Sequence, residues 1–228
     1  AALTLSGTSP AARGSYAVVV ANAGGSIQSA PAQVEFTTGS ALSNLSVRTA
    51  MAAGQTLTLG AVVAGGSKQV LIRAAGPALS PFGITGMTDP RLELFVGSSA
   101  TPAATNDDWP AALASAFAAV GAFGFPAGSR DAAVSQSLTG AFTVRASGTG
   151  AGVILVEAYD TEGGLSPRLV NLSARNRVGT GTDILIAGFT VSGTGSKQVL
   201  IRAVGPTLAA FGVSGPLSDP TLQVVDGQ

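Results

Sequence analysis

The densest group of chemically capable side chains lies in the stretch TNDDW at 105–109, where Asn106, Asp107 and Asp108 stand together, with Asp89 and Glu93 a short way upstream. Calcium takes about six to eight oxygen ligands, often from closely spaced Asp and Asn in a turn. Asp89, Asn106, Asp107 and Asp108 would therefore make a structural Ca²⁺ site. A simpler use is preferred: Asp107 and Asp108 precede an expected helix, whose free amides and dipole favour carboxylates. A carboxylate pair for glycoside hydrolysis would come from the same residues. Two Tyr and one Trp are little from which to build a sugar platform, however. The chain has neither His nor Cys, which excludes a Ser-His-Asp triad, a thiol nucleophile, zinc fingers and disulfides. No catalytic residue is assigned, and no cofactor is expected beyond that calcium.

Two arginines raise a different question. Arg73 and Arg202 end the repeated run QVLIR, and a charge on an otherwise apolar strand needs a partner or a route to water. Pairs with Asp89 and Asp219 are the expected solution, ahead of an anion site. Asn44-Leu45-Ser46 and Asn171-Leu172-Ser173 fit the glycosylation pattern, but both belong to a repeated strand signature and are read as structure. Gly-rich stretches such as GTGSK at 193–197 are read as hairpin turns, since no helix follows to complete a phosphate loop.

The elements that position these residues are strands. Thirty-one Gly, twelve Pro and a turn signal every 8–12 residues or so describe an all-β chain of many short strands. Alternation supports this at Tyr16, Val18 and Val20, at Val70 and Ile72, at Phe142 and Val144, and at Leu222 and Val224. The exception is DDWPAALASAFAAVGAF, where Pro110 opens, and Gly121 closes, one short helix near 110–121. Twelve basic residues balance twelve acidic ones, so no net field draws in nucleic acid. Apolar runs are too short for a membrane helix. Only 11% of residues are charged, against about 25% in ordinary domains, so much of the surface is neutral and open to being covered.

Internal repetition organises the chain. LSNLSVR at 42–48 recurs as LVNLSAR at 169–175, KQVLIRA at 68 recurs at 197, GPALSPFG at 76 recurs as GPTLAAFG at 205, and DPRLELF at 89 recurs as DPTLQVV at 219. The expected fold is tandem antiparallel β-sandwich modules: a complete one at 42–160 and the opening half of a second at 169–228. The first copy finishes with three closing strands in AVSQSLTGAFTVRASGTGAGVILVEAYD, which the second lacks. Residues 1–38 look like such a closing half, with Tyr16 matching Phe142 and Val34-Glu35 matching Val156-Glu157. The seven side chains expected to face inward there contribute about 1.5–3 kcal/mol each. That is too little to order 38 residues at about 1.5 kcal/mol each, so the segment needs a partner. The halves would join within one molecule or between neighbours, unless the chain is a slice of a longer protein.

Family resemblance points the same way. GSYAVVVAN at 14–22 resembles the G-x-Y-x-V-x-V-x-N run of bacterial immunoglobulin-like repeats. From Asp89 to Tyr159 the pattern DPRLELF, NDDW, GAFTVRASG resembles the bacterial pre-peptidase C-terminal jelly-roll family, found on secreted proteins. KQVLIRAxGPxLxxFG is similar to repeats of large exported proteins from environmental bacteria. These resemblances imply export, β-sandwich modules and a surface or matrix role, and they carry no activity.

The resulting expectation is a non-enzymatic, extracellular or cell-surface protein that forms a homopolymer by head-to-tail strand complementation. Leu3, Leu5, Tyr16, Val18, Val20, Val34 and Phe36 would be the donor residues. Ile184, Ile186, Val199, Ile201, Leu222 and Val224 would be the acceptor residues. The alternative is a module within a longer secreted protein that binds carbohydrate or cell-surface glycans. Neither reading involves nucleic acid or a membrane span.

Overall fold

The computed structural model describes residues 14–22, 24–34 and 39–226. It divides into two units, residues 1–39 and 40–228. In the N-terminal unit β1 (Gly14–Tyr16) pairs with β4 (Ala32–Val34), and β2 (Val19–Asn22) pairs with β3 (Gly25–Gln28). Val18, Val19, Val20 and Ile27 are all exposed, Ile27 at 73%. Among the described residues of this unit these four large apolar side chains face solvent.

The larger unit is one antiparallel sheet system. Its strands are β5 (Ser40–Met51), β6 (Thr56–Ala75), β7 (Pro90–Val96), β8 (Ala104–Asn106), β9 (Ala132–Gly148), β10 (Gly152–Asp160), β11 (Arg168–Arg175) and β12 (Ile186–Gly193). β6 and β9 run side by side and break register together between Val63 and Lys68. Gly65, Gly66 and Gly140 supply positive φ at this bend, which a side-chain-bearing residue would resist. Ala132 to Gly148 thus forms one long bent strand where the sequence suggested two. The short helix is present as α1 (Ala114–Ala119), preceded by a 3-10 turn at Ala111–Leu113. It inserts Phe117 beside Phe125, Leu71 and Leu79, while the main core gathers Leu57, Leu59, Val70, Ile72, Leu92, Leu94, Val144, Ile154 and Val156.

All-β class holds, but tandem sandwiches do not. β5 pairs with β10, β10 with β6, β6 with β11, and β11 returns to β5, closing a ring of four strands. The reason is strand exchange between the two sequence copies. β11, which repeats the start of β5, lies on β6, while β12, which repeats the first half of β6, lies on β5. Registers match residue for residue. Ser173 faces Gly60 and Ser46 faces Gly188; Leu172 faces Ala61 and Leu45 faces Phe189; Leu169 faces Val63 and Leu42 faces Val191. Even the bulge recurs, between Leu169 and Asn171 on one side and between Thr190 and Val191 on the other. The equivalent residues Leu42 and Leu169 face each other, as residues beside a local two-fold axis must.

Small residues permit the exchange. A Cβ on Gly60 would lie 2.7 Å from Ser173 Oγ, and one on Gly188 would lie 3.1 Å from Ser46 Oγ. Glycine within a strand often marks such a close approach. Leu169, a residue of the second copy, is fully buried in the core of the first.

Candidate functional site

The polar chemistry of the first copy is concentrated on β6 and β10. Register puts Glu157 directly opposite Arg73. Arg73 donates from Nε and Nη2 to Glu157 Oε2 at 3.0 and 2.7 Å, and from Nη1 to the Phe123 carbonyl at 2.6 Å. Its Cζ lies 4.5, 4.7 and 4.3 Å from the ring centres of Phe117, Phe123 and Phe125. The guanidinium is therefore fully buried, yet ion-paired, hydrogen-bonded and flanked by ring faces. The expected pair with Asp89 does not form. Asp89 Oδ2 instead accepts from Arg130 Nη1 at 3.1 Å. A strand neighbour on β10 is simply closer to Arg73 than a residue in the turn before β7.

Tyr159 completes the cluster, donating from its hydroxyl to Glu157 Oε1 at 2.6 Å. Burial, and then the Glu157 carboxylate, hold the phenol well above its usual range. The folded state thus keeps a proton that the unfolded chain releases near pH 10, so stability should fall as pH rises beyond about 10. Tyr159→Phe should flatten that alkaline limb, as read by urea midpoints between pH 8 and 11.

A second buried pair lies on the same two strands. Lys68 Nζ is 2.9 Å from Asp160 Oδ1 and donates to the Gly163 carbonyl at 2.7 Å. A third anchor is Asp131, fully buried, whose Oδ1 accepts from the amides of Gly76 and Ala78 at 2.7 and 3.1 Å. It thereby satisfies the start of the 3-10 turn Pro77–Phe82. Sequence reasoning missed Lys68, Asp131, Glu157 and Asp160. For Lys68, Glu157 and Asp160 there was a signal, since the repeated strand carries Lys and Arg five apart and VEAYD is the acidic run among the closing strands; Asp131 had none.

The residues proposed for calcium are only partly brought together. Asp89 and Asp107 line one groove of about 460 Å³ with Gly54, Thr56, Arg91, Ser147, Gly148 and Thr149. Asn106 is spent on the fold, its Oδ1 accepting from the Ala133 amide and its Nδ2 donating to the Asp108 carbonyl, both at 2.8 Å. Among the described residues no three metal-ligating carboxylates, histidines or cysteines cluster. Nor do Asp107 and Asp108 cap the helix: Pro110 precedes the 3-10 turn, and no side chain caps that turn or α1. Asn44 is embedded in the ladders of β5, opposite Tyr159 and Thr190, and Asn171 faces Val62.

The second copy has the same local shape without its cover. Its 3-10 turn Pro206–Phe211 reproduces Pro77–Phe82, down to a left-handed glycine at Gly212 as at Gly83. At Gly205 a Cβ would collide with the Leu217 carbonyl, as one at Gly76 would with that of Met87. Yet residues 197–204 and 219–226 join no ladder among the described residues. Leu71 is 0% exposed and its counterpart Leu200 is 86% exposed; Leu94 is 0% and Val224 is 67%. The expected acceptor residues Ile184, Ile186, Val199, Ile201, Leu222 and Val224 are all exposed, with Ile186 on β12. Arg202 makes no ion pair or hydrogen bond among the described residues, with Asp219 or otherwise.

On the expected donor side, Val18 and Val20 are exposed, and Tyr16 pairs with Ala32 in the β1–β4 ladder. Val34 lies in β4 opposite Gly14, whereas Leu3, Leu5 and Phe36 fall outside the described residues. In the first copy, by contrast, β9 and β10 pair with β6 rather than with each other. No helix among the described residues is long and apolar enough to cross a membrane. No family model matches the chain, and no curated protein or solved structure matches it either.

Proposed function

We propose that the chain is a structural, extracellular subunit that assembles by strand complementation, with the uncovered second copy of one molecule taking strands from the N-terminal segment of the next. The observation that carries this reading is the contrast between the copies: residues 70–75 are all buried, whereas their counterparts at 199–204 are all exposed. Full burial of each large apolar side chain contributes roughly 1.5–3 kcal/mol. Covering four or five of them therefore gives a substantial drive to associate. The N-terminal unit supports the donor role through its own uncovered Val18, Val19, Val20 and Ile27. Head-to-tail contact of this kind is heterologous and propagates into a fibre unless rotation closes a ring. The role needs no catalytic residue and no cofactor. Its low surface charge suits a subunit packed between neighbours.

Val18→Asp tests the reading. Placing a carboxylate on the donor face should abolish fibres in negative-stain images at concentrations where the parent chain forms them, while the unit of 40–226 keeps its thermal transition. Fibres of unchanged length and yield would rule out donation through this face. Discrete particles of the parent chain that give signals on a glycan array would favour a binding module instead.

A further inference from the structure

In the first copy β10 works as a clasp. One of its edges pairs with β5, from Gly152 opposite Met51 to Tyr159 opposite Asn44. The other pairs with β6, from Leu155 opposite Ala75 to Asp160 opposite Val70. The second copy's versions of those two edges are β11 and the run 197–204, and neither meets a clasp among the described residues. Charges are left over in the same pattern. Arg73 and Lys68 are fully buried against Glu157 and Asp160. At the repeated positions Arg202 has no partner among the described residues, and Lys197 reaches only the Ser40 carbonyl, at 3.3 Å.

Resting on the assembly reading above, we infer that this open edge is an acceptor selective for a carboxylate: it takes from a second copy of the chain an antiparallel strand of the β10 kind, whose glutamate seats on Arg202. The register of the complete copy dictates where that acid falls. Glu157 is opposite Arg73, while Val156 and Ala158 are opposite Ala74 and Ile72. The incoming Val-Glu-x sequence therefore sets its apolar neighbours against Ala203 and Ile201 and its acid against the guanidinium. A strand arriving with Gln or an apolar residue there desolvates Arg202 with no counter-charge, which is costly. A glutamate supplies charge-assisted bonds in the geometry that arginine favours. Apolar cover alone would accept many strands; the arginine makes the edge discriminate. The Val-Glu pair occurs only at 34–35 and 156–157, and the latter is already clasped in its own module.

The test uses the full chain, diluted below the concentration at which it polymerises, and a fluorescent synthetic peptide with the sequence of residues 28–38. The expected result is saturable binding that weakens at least tenfold when the peptide's glutamate at position 35 is replaced by glutamine. A similar loss should follow Arg202→Met in the chain, with partial recovery in Arg202→Lys. Arg202 is exposed, so an unchanged thermal transition of the variants shows that folding is intact. Equal binding of both peptides, indifference to Arg202→Met, or no binding of the glutamate peptide would each overturn the inference. The two proposals fail separately. Fibres that grow normally from Arg202→Met remove carboxylate selection and leave assembly standing. A chain that never polymerises, yet binds the peptide through Arg202, removes assembly and leaves the acceptor.

Discussion

Arg73→Ala is expected to destabilise the larger unit by about 3–5 kcal/mol, the cost typical of removing one partner from a buried ion pair. The substitution strands Glu157 in a site closed to water, with only the Tyr159 hydroxyl left to stabilise its charge. It also empties the space between Phe117, Phe123 and Phe125 and leaves the Phe123 carbonyl without its donor. Urea or thermal unfolding measures the loss, and the repeat supplies the control. Arg202→Ala alters the same motif at an exposed position and should change stability by no more than about 0.5 kcal/mol in the unassembled chain. Equal effects at the two arginines would mean that the second copy is covered in the isolated molecule. That result would remove the basis of the assembly proposal as well.

The second large effect concerns the exchanged strands. Leu169→Ala should cost about 2–5 kcal/mol, although Leu169 belongs to the second copy, because its side chain fills the core of the first. Deleting residues 167–228 goes further, removing the partner of Thr58–Ala64 on β6 and the partner of Ser40–Arg48 on β5. The remaining chain of 1–166 should lose the cooperative transition of its 40–166 part rather than keep it as a free-standing module. Hydrogen exchange would locate the change, with protection lost first in β5 and the first half of β6. A stable, fully protected fragment would show that the first copy closes without help, contrary to the ring of strands observed.

Much of this architecture was legible from residues. Alternation supported strands at Val70 and Ile72 and at Phe142 and Val144, Pro110 and Gly121 bracketed the helical segment, and the repeat identified two homologous stretches. The sites were less legible. Asp89 is an obvious partner for Arg73 when only turn and strand spacing are known, whereas Glu157, more than eighty positions away, becomes its neighbour only through the β6–β10 register. Asn106 looked like a metal ligand because its type and spacing suit one. Its side chain instead ties the loop to β9, a use that depends on where Ala133 lies.

The amino-acid sequence by itself determined the class of structure and the existence of two copies, because these follow from local propensity and from comparing one stretch of chain with another. Only the tertiary structure decided which strands lie beside which. Pairing between β5 and β12, or between β6 and β11, is written in no local pattern; a strand with two usable edges accepts any partner of suitable register. The choice made here depends on all partners being present at once, with Gly60 and Gly188 giving room for the serines opposite them.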